Sequence, residues 1–209
     1  MTLAFIGIGN VGFALADRLQ KEGHEILVAH DNAESESVRA ALRGNPSLRV
    51  LPVREALPAA EVVFLATPFR AVATVLEGLH FHGKPLVDCT NPVGAGLTHG
   101  LGGTRSGAEV VQEAAPDARV VKAFSVYGVE LLADSAFPTA AQRPMMPIAG
   151  NDAEAKGMVA TLAETLGFAA KDVGPLAQAL HLEHLALLWI TMVRRDRHQP
   201  RLAWGLLEG

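Results

Sequence analysis

The chain has 209 residues, of which 49% are hydrophobic and 19% are charged, a balance typical of a globular protein and not of a disordered chain. Its formal net charge of -4 is small and gives no reason to expect a nucleic-acid partner. The single cysteine, Cys89, excludes an internal disulfide and a multi-thiolate zinc or iron–sulfur site within one chain.

Short aliphatic runs alternate along the chain with helical patterns, which predicts a parallel sheet with helices on both faces. The predicted strands are Leu3–Ile6, Glu25–Ala29, Arg49–Leu51, Val62–Ala66, Pro85–Asp88, Val120–Ala123, Met146–Ala149 and Ala169–Val173. The predicted helices are Val11–Glu22, Ser35–Arg43, Phe69–Leu79, Ser106–Ala114, Asp152–Leu166 and Leu176–Val193. We expect an α/β fold with a doubly wound Rossmann parallel sheet. Residues 1–174 would form the NAD(P)-binding domain, and residues 175–209 a small C-terminal helical extension that packs on it or on a partner subunit.

A complete G-x-G-x-x-G motif follows the first predicted strand and opens the first helix; it reads Gly7-Ile8-Gly9-Asn10-Val11-Gly12. The first glycine permits a tight turn, the second lets a pyrophosphate approach the backbone, and the third lets the helix pack closely on the strand. The amides at the helix start then face the phosphates. A glycine turn without a ligand is the alternative, and the complete strand–motif–helix–strand order disfavours it.

An acidic residue stands at the end of the second predicted strand. Asp31 follows Gly12 by nineteen positions, close to the spacing of about 20 at which a carboxylate accepts hydrogen bonds from the adenosine ribose. With His30 before it, Asp31 is expected in the cofactor site. A carboxylate there repels a 2′-phosphate, so taken alone it favours NAD. The alternative is a solvated loop acid that turns away from the cofactor.

Polar and proline residues follow two further strands. Thr67 and Pro68 come after Val62–Ala66, and Asn91 and Pro92 come after Pro85–Asp88. Because these strand ends meet at the ligand-binding edge of the sheet, the four residues are candidates for holding the nicotinamide half of a cofactor. Ordinary turn chemistry explains the same residues equally well.

The remaining chemistry-bearing side chains form no catalytic constellation or metal site. Lys122 could face the cleft and attract an anion, or lie on the surface with its ammonium in water. His181 and His184 supply only half a metal shell and are interpreted as structural, and Cys89 as a small buried hydrophobe. We therefore predict no catalytic side chain and no metal ligand.

Taken together, the residues resemble the family of NADP reductases that depend on the deazaflavin coenzyme F420, a family that includes the oxidoreductase domain of six-transmembrane metalloreductases. The resemblance begins in the glycine motif and its helix and continues, in family order, through Gly23-His24-Glu25-Ile26, Asp88-Cys89-Thr90-Asn91-Pro92, Val120-Val121-Lys122-Ala123-Phe124 and Lys171-Asp172-Val173-Gly174-Pro175-Leu176. The last block makes the match specific, since the glycine motif alone occurs in many families.

The resemblance implies hydride transfer between a nicotinamide and a flavin-like acceptor, in which the two rings carry the chemistry and the protein aligns them. By position, the 7–12 motif would bind pyrophosphate, Thr67 and Pro68 would line the nicotinamide side, and Asn91 and Pro92 would form the floor of the acceptor site.

Two departures from the family pattern concern the ligands. Family members carry a small hydroxyl residue and an arginine where this chain has His30 and Asp31, so the resemblance favours NADP and Asp31 favours NAD. The usual Phe-Asn-Thr after the lysine strand is here Phe124-Ser125-Val126, which leaves F420, FMN and FAD open as acceptors.

The leading functional hypothesis is an NAD(P)H-dependent oxidoreductase that transfers hydride to a flavin or deazaflavin, its partner being this small-molecule acceptor. A dinucleotide-binding sensor without turnover is the alternative, and a hydroxy-acid dehydrogenase with Lys122 as base is a third hypothesis.

The N-terminus lacks a basic leader, and Leu185–Val193 is shorter than the roughly 20 residues that span a bilayer, so we expect a cytoplasmic protein without a membrane partner. The last helix is apolar on every side, which predicts a homodimer, with burial in its own chain as the alternative.

Overall fold

A computed structural model describes residues 1–207 of the chain. Its strands form one sheet of eight, in the order β3-β2-β1-β4-β5-β6-β7-β8. The strands are β1 Thr2–Ile6, β2 Glu25–Ala29, β3 Arg49–Leu51, β4 Val62–Leu65, β5 Pro85–Asp88, β6 Arg119–Lys122, β7 Met145–Gly150 and β8 Ala169–Gly174. The predicted strands are confirmed, with boundaries that differ by no more than a residue.

The helices cover both faces of this sheet. They are α1 Asn10–Lys21, α2 Glu36–Gly44, α3 Val53–Ala59, α4 Val72–Leu76, α5 Gly107–Ala114, α6 Val129–Ala133, α7 Ala153–Thr165 and α8 Ala179–Ile190. One apolar cluster lies under α1, α6, α7 and α8, and a second lies on the opposite face under α3, α4 and α5. The predicted doubly wound α/β fold is confirmed.

The strand order reverses direction between β1 and β4. The order β3-β2-β1-β4-β5-β6 is that of a dinucleotide-binding sheet, and every pair in it is parallel. Ligands of open α/β sheets bind outside the carboxyl ends of the strands at such a reversal. The last two strands extend the sheet: β7 runs antiparallel to β6, and β8 runs parallel to β7.

Two short helices are absent from the sequence prediction. Helix α3 begins after Pro52 and contains Pro58, a residue that normally argues against a helix interior. Pro58 lies in the last turn, and Ala56 and Leu57 are buried in the core. Helix α6 has five residues, too few for a helical period to be visible.

The C-terminal segment packs on the rest of the fold. A continuous helical run, Leu176–Arg195, includes α8 and is long and apolar enough to cross a membrane by length and composition, with a mean hydropathy of 1.3. In this structure one side of the helix packs on the core: Trp189 is 2% exposed and Glu183 is buried in ion pairs, while Leu188 on the other side is 49% exposed. Residues 208–209 of the predicted extension lie outside the described part of the chain.

Candidate functional site

The glycines of the 7–12 motif have three separate roles in the turn between β1 and α1. Gly7 has φ +93°, and a Cβ on it would lie 2.7 Å from the carbonyl carbon of Ala66. A Cβ on Gly12 would lie 2.1 Å from the Gly7 carbonyl oxygen, so this glycine allows the helix to pack on the loop. A Cβ on Gly9 would meet no protein atom within 4 Å. The space above Gly9 is therefore open to a ligand.

The N-terminus of α1 is prepared for an anion. Gly9 is the N-cap residue, no side chain of residues 1–207 caps the helix, and its first turn contains no acidic residue. The first backbone amides of a helix have no partner within it, and the helix dipole favours negative charge there. A phosphate above Gly9 would satisfy both.

A cleft of about 670 Å³ lies beside this loop, at the carboxyl ends of β1, β2 and β4. It brings together seven of the residues predicted from the sequence: Gly7, Ile8, Gly9, His30, Asp31, Thr67 and Pro68. It also contains residues that the sequence analysis missed, including Ser37 on α2 and Arg54 on α3. We call it the dinucleotide cleft.

The turn after β2 is fixed by side-chain hydrogen bonds. His30 Nδ1 accepts from the Asn32 amide at 3.0 Å, and Ser35 Oγ lies 3.3 Å from His30 Nε2. Asp31 Oδ1 accepts from the Val53 amide at 2.9 Å and so caps the first turn of α3. One carboxylate oxygen of Asp31 thus has a structural role, and Oδ2 has no partner among residues 1–207.

Arg54 follows Val53 on α3 and lines the same cleft. It is exposed, and within the described residues its guanidinium makes no hydrogen bond or ion pair. Arg39, the arginine nearest to this turn in the sequence, instead lies 3.9 Å from Glu34 and does not line the cleft. Within residues 1–207, the unpaired cation that lines the cleft with Asp31 therefore comes from α3, a helix that the sequence analysis did not predict.

A smaller pocket of about 250 Å³ lies on the other side of the glycine loop. Asn10 and Val11 of α1, Asn91 after β5 and Ser125 after β6 line it, and Trp189 and Ile190 of α8 form its outer wall. We call it the second pocket. Of the predicted site residues it contains Asn10, Val11 and Asn91; Pro92 is buried and lines neither cavity, its carbonyl accepting from the Gly100 amide.

Three of the six buried side-chain polar atoms that lack a partner among residues 1–207 lie at the ends of three neighbouring strands. They are Thr67 Oγ1 after β4, Asn91 Oδ1 after β5 and Ser125 Oγ after β6. Buried polar atoms in native proteins normally have partners, and leaving one unpaired is costly. These three strand ends are where a nicotinamide half is expected in this topology, so a ligand is a natural source of the missing hydrogen bonds.

Lys122 does not face the cleft, and both alternatives raised by the sequence are wrong. Its side chain is fully buried at the end of β6, and Nζ lies 2.9 Å from Asp88 Oδ2 and 3.0 Å from Glu183 Oε1 and donates to the carbonyl of Thr90 at 2.5 Å. Burial lowers the pKa of Lys122, but the charges of Asp88 and Glu183 outweigh burial and raise it above its ordinary value. All three donors are in use, so the ammonium holds the strand ends and is not a base.

Glu183 joins this group to α8 and to the glycine-rich loop after β5. Its Oε2 accepts from the Gly107 amide at 2.9 Å and lies 2.8 Å from His99 Nε2. His99 Nδ1 in turn accepts from the Leu101 and Gly103 amides at 3.3 Å, which leaves Nε2 as the donor. Burial raises the pKa of Glu183, but Lys122, the Gly107 amide and His99 together hold it below the ordinary value. We call Asp88, Lys122, Glu183 and His99 the buried charge network.

The other candidate side chains have structural surroundings. Cys89 is buried, and burial first, then the charge of Asp88, raises the pKa of its thiol well above the ordinary value. His184 bonds the Leu180 carbonyl at 2.9 Å and stacks on His99 with ring centroids 5.1 Å apart. Within residues 1–207, no group of three or more His, Cys, Asp or Glu side chains is placed to hold a metal ion.

Comparison with known proteins gives one family model and several relatives. The model described as NADP oxidoreductase, coenzyme F420-dependent, matches residues 2–92. Metalloreductase STEAP3 of Rattus norvegicus is 34% identical over 188 residues, which cover 88% of this chain and 36% of the relative. The chain spans about a third of the length of the curated relatives it matches.

Two solved structures match almost from end to end. A candidate F420-dependent NADP reductase from Arthrobacter sp. FB24 superposes with a TM-score of 0.80 at 28% identity, covering 93% of this chain and 94% of the other. A hypothetical protein from Sinorhizobium meliloti superposes with a TM-score of 0.74 at 30% identity, covering 86% and 88%.

Proposed function

We propose that the chain belongs to the family of coenzyme F420-dependent NADP oxidoreductases, whose model matches residues 2–92, and that it transfers hydride between a nicotinamide dinucleotide and a flavin or deazaflavin. The observation that carries this proposal is the dinucleotide cleft beside the open glycine loop, together with a second pocket that is lined by the start of α1 and by residues that follow β5 and β6. A bound reduced nicotinamide supplies two electrons and a proton as hydride, and the acceptor takes any further proton from solvent.

Two independent observations indicate that the residues of the cleft fit a dinucleotide. The space above Gly9 and the uncapped amides of α1 suit a pyrophosphate. Beyond the loop, Thr67, Asn91 and Ser125 carry buried polar atoms that lack partners in the described part of the chain. The protein's part in this chemistry is to bind and align two rings and to exclude water, because alignment supplies most of what a hydride transfer needs.

The titratable groups nearest to the strand ends support a reaction in which the protein aligns the two rings and does not transfer a proton itself. Lys122 donates to three acceptors, and His99 is bonded through both nitrogens. Cys89 is buried with a raised pKa, so its thiol stays protonated. None of these three groups is free to exchange a proton with a substrate, which favours ring-to-ring transfer over a dehydrogenase with Lys122 as its base.

We infer further that NADP(H) is preferred over NAD(H). Oδ1 of Asp31, the residue that favours NAD, is already occupied because it accepts the hydrogen bond that caps α3. Arg54, one residue beyond that cap, lines the cleft, and its guanidinium has no partner among residues 1–207. An arginine fork is well suited to a phosphate, and Ser37 offers a hydroxyl in the same wall. The support for NADP comes from the placement of Arg54.

Binding of adenosine 2′,5′-bisphosphate and of 5′-AMP, measured by calorimetry, tests this preference. Arg54→Gln should weaken the bisphosphate roughly tenfold or more and leave 5′-AMP unchanged, since one charge-assisted hydrogen bond is lost. Arg39→Gln is the matched control and should change neither affinity. An unchanged bisphosphate affinity in Arg54→Gln would show that another group reads the phosphate.

Steady-state oxidation of NADPH and NADH with FMN, FAD and coenzyme F420 tests the proposed activity. The Gly9→Ala variant provides the control, because its Cβ meets no protein atom but fills the space proposed for pyrophosphate. It should fold with unchanged thermal stability and lose at least tenfold in dinucleotide affinity. Absence of turnover with every acceptor would reject the activity.

A dinucleotide-binding sensor is the second candidate function. The second pocket, at about 250 Å³, is below the roughly 300 Å³ at which most small-molecule sites begin. Tight binding of NADPH without oxidation by any acceptor would favour the sensor.

We further propose that the protein is a cytoplasmic homodimer. Light scattering at micromolar concentration that gives the mass of one chain would reject the dimer.

A further inference from the structure

We propose that Asn91 and Ser125 recognise a planar amide edge, a carbonyl beside an N–H, on the ring that enters the second pocket. The proposal rests on the proposed function in so far as it places a ring there. It adds the chemical group that the pocket selects, which neither the family nor the cleft determines.

The orientation of Asn91 is fixed by the protein. Its Nδ2 donates to the carbonyl of Ser125 at 2.7 Å, so the amide nitrogen faces the chain that follows β6. Its Oδ1 is therefore turned the other way, is buried, and has no partner among residues 1–207. An amide oxygen can only accept, so the missing partner must present an N–H or an O–H.

Ser125 supplies the complementary group. It is 3% exposed, and its Oγ is buried without a partner in the described part of the chain. A serine hydroxyl donates one hydrogen bond, and a ligand carbonyl is a suitable acceptor. Phe124, before it, has φ +57°, a conformation uncommon for a residue with a side chain, and this bend turns the chain at the end of β6.

The rest of the second pocket selects a neutral, flat group. Val126, Val129, Trp189 and Ile190 supply apolar walls. The one cation of the lining, Arg194, is already paired with Glu130 at 2.8 Å and lies 5.5 Å from the centre of the Trp189 ring. An anionic group would compete with Glu130 for Arg194, whereas a neutral ring finds apolar faces and, at its edge, one acceptor and one donor.

Two groups in the proposed reaction carry this edge. The nicotinamide ring bears a carboxamide, with a carbonyl and an NH₂ group, and the flavin or deazaflavin ring contains an imide, with a carbonyl beside a ring N–H. The shared chemistry is the same, and a single methyl substitution removes the donor from either. The acetylpyridine analogue of NADP replaces the NH₂ group by methyl, and N3-methyllumiflavin replaces the imide hydrogen.

Calorimetry on the whole chain therefore tests the proposal without turnover. Affinities are measured for NADP and its acetylpyridine analogue, and, with NADP present, for lumiflavin and N3-methyllumiflavin. The wild type should bind one member of one pair about tenfold more tightly than its methyl counterpart, because the analogue leaves Asn91 Oδ1 unpaired. The pair that shows the difference identifies which ring presents the edge.

Two variants assign the discrimination to these residues. Asn91→Ala should abolish the difference within that pair, and Ser125→Ala should weaken both of its members about equally. Binding of adenosine 2′,5′-bisphosphate to the dinucleotide cleft should be unchanged in both variants and shows that they are folded.

Equal affinities within both pairs in the wild type overturn the proposal, and so does discrimination that survives in Asn91→Ala. These outcomes are separate from failure of the proposed activity. Discrimination without turnover would leave the edge recognition in place and reject only the reaction, whereas absence of nucleotide binding would reject the proposed function itself.

Discussion

Replacement of Lys122 by methionine removes the only cation from the centre of the buried charge network and keeps nearly the same volume. The ammonium lies 2.9 and 3.0 Å from two carboxylate oxygens, and each attraction is about 5.5 kcal/mol at an effective dielectric constant of about 20. Since both oxygens lie within 3.0 Å of one nitrogen, they can be no more than about 6 Å apart, and without the cation they repel by about 3 kcal/mol.

The cost of desolvating Lys122 offsets part of this attraction, so the net loss should be about 3–5 kcal/mol, the range found when one partner of a buried pair is removed. For a chain of this size each kcal/mol lowers the melting temperature by about 2–4 °C. We therefore expect Lys122→Met to melt roughly 6–20 °C below the wild type at pH 8, as measured by circular dichroism.

The pH dependence supplies a second readout. Lys122 is the main group that lowers the pKa of Glu183, so without the cation the folded state favours the protonated form of Glu183, and the melting temperatures of variant and wild type should converge as the pH falls from 8 towards 5. Lys156→Met is the control: Lys156 pairs with Asp172, which is 57% exposed, and its loss should cost less than about 1 kcal/mol. If Lys122→Met has normal stability but has lost turnover, Lys122 does not stabilise the fold as described, and a role as a catalytic base is favoured.

Three further predictions concern the loop, the cap and the network. Gly12→Ala should destabilise the fold by at least about 2 kcal/mol in denaturant titrations, since its Cβ would lie 2.1 Å from a carbonyl oxygen. Gly157→Ala, at an open helical position, is the control and should stabilise the fold by about 0.5–1 kcal/mol. Equal changes in the two variants would contradict the close packing at Gly12. Asp31→Ala should cost about 1 kcal/mol through the lost cap of α3 and Asp31→Asn much less, and identical losses would exclude the cap. The pKa of Glu183 is lowered in the fold, so its contribution to stability is present above the ordinary carboxyl range and is lost as the pH falls through the lowered value. The free energy of unfolding of Glu183→Gln should therefore fall less steeply with acidification than that of the wild type. Equal slopes in the two proteins would show that Glu183 does not contribute to the acid sensitivity.

The strands and the nucleotide loop could be predicted because their signals are local. A β-strand followed at once by Gly7, Gly9 and Gly12 defines the turn, the helix and the ligand position within a dozen residues. The reversal between β1 and β4 follows from the parallel pattern, and the strand ends that carry Thr67 and Asn91 follow from the reversal.

The rest of the site depends on contacts between residues far apart in the chain. Arg54 reaches the end of β2 only because α3 exists, and the prolines around α3 conceal that helix. Glu183 stands in an apolar helix where a single acid signals nothing, and its partners lie 84 and 76 positions away at His99 and Gly107. The sequence predicts Lys122 either in the cleft or at the surface because a lysine is rarely buried, and its two carboxylate partners make burial possible.

The pairing of Lys122 with Glu183 also governs the order in which the chain can complete its core during synthesis. Strands β1 to β6 are finished at Lys122, but the second carboxylate for its ammonium arrives only with α8. A fragment that ends at residue 174 would hold a buried lysine with one carboxylate and leave the Gly107 amide without its acceptor. The nucleotide-binding half is therefore not a detachable module, and split reporters or gene fusions should keep α8 on the same polypeptide as the glycine loop.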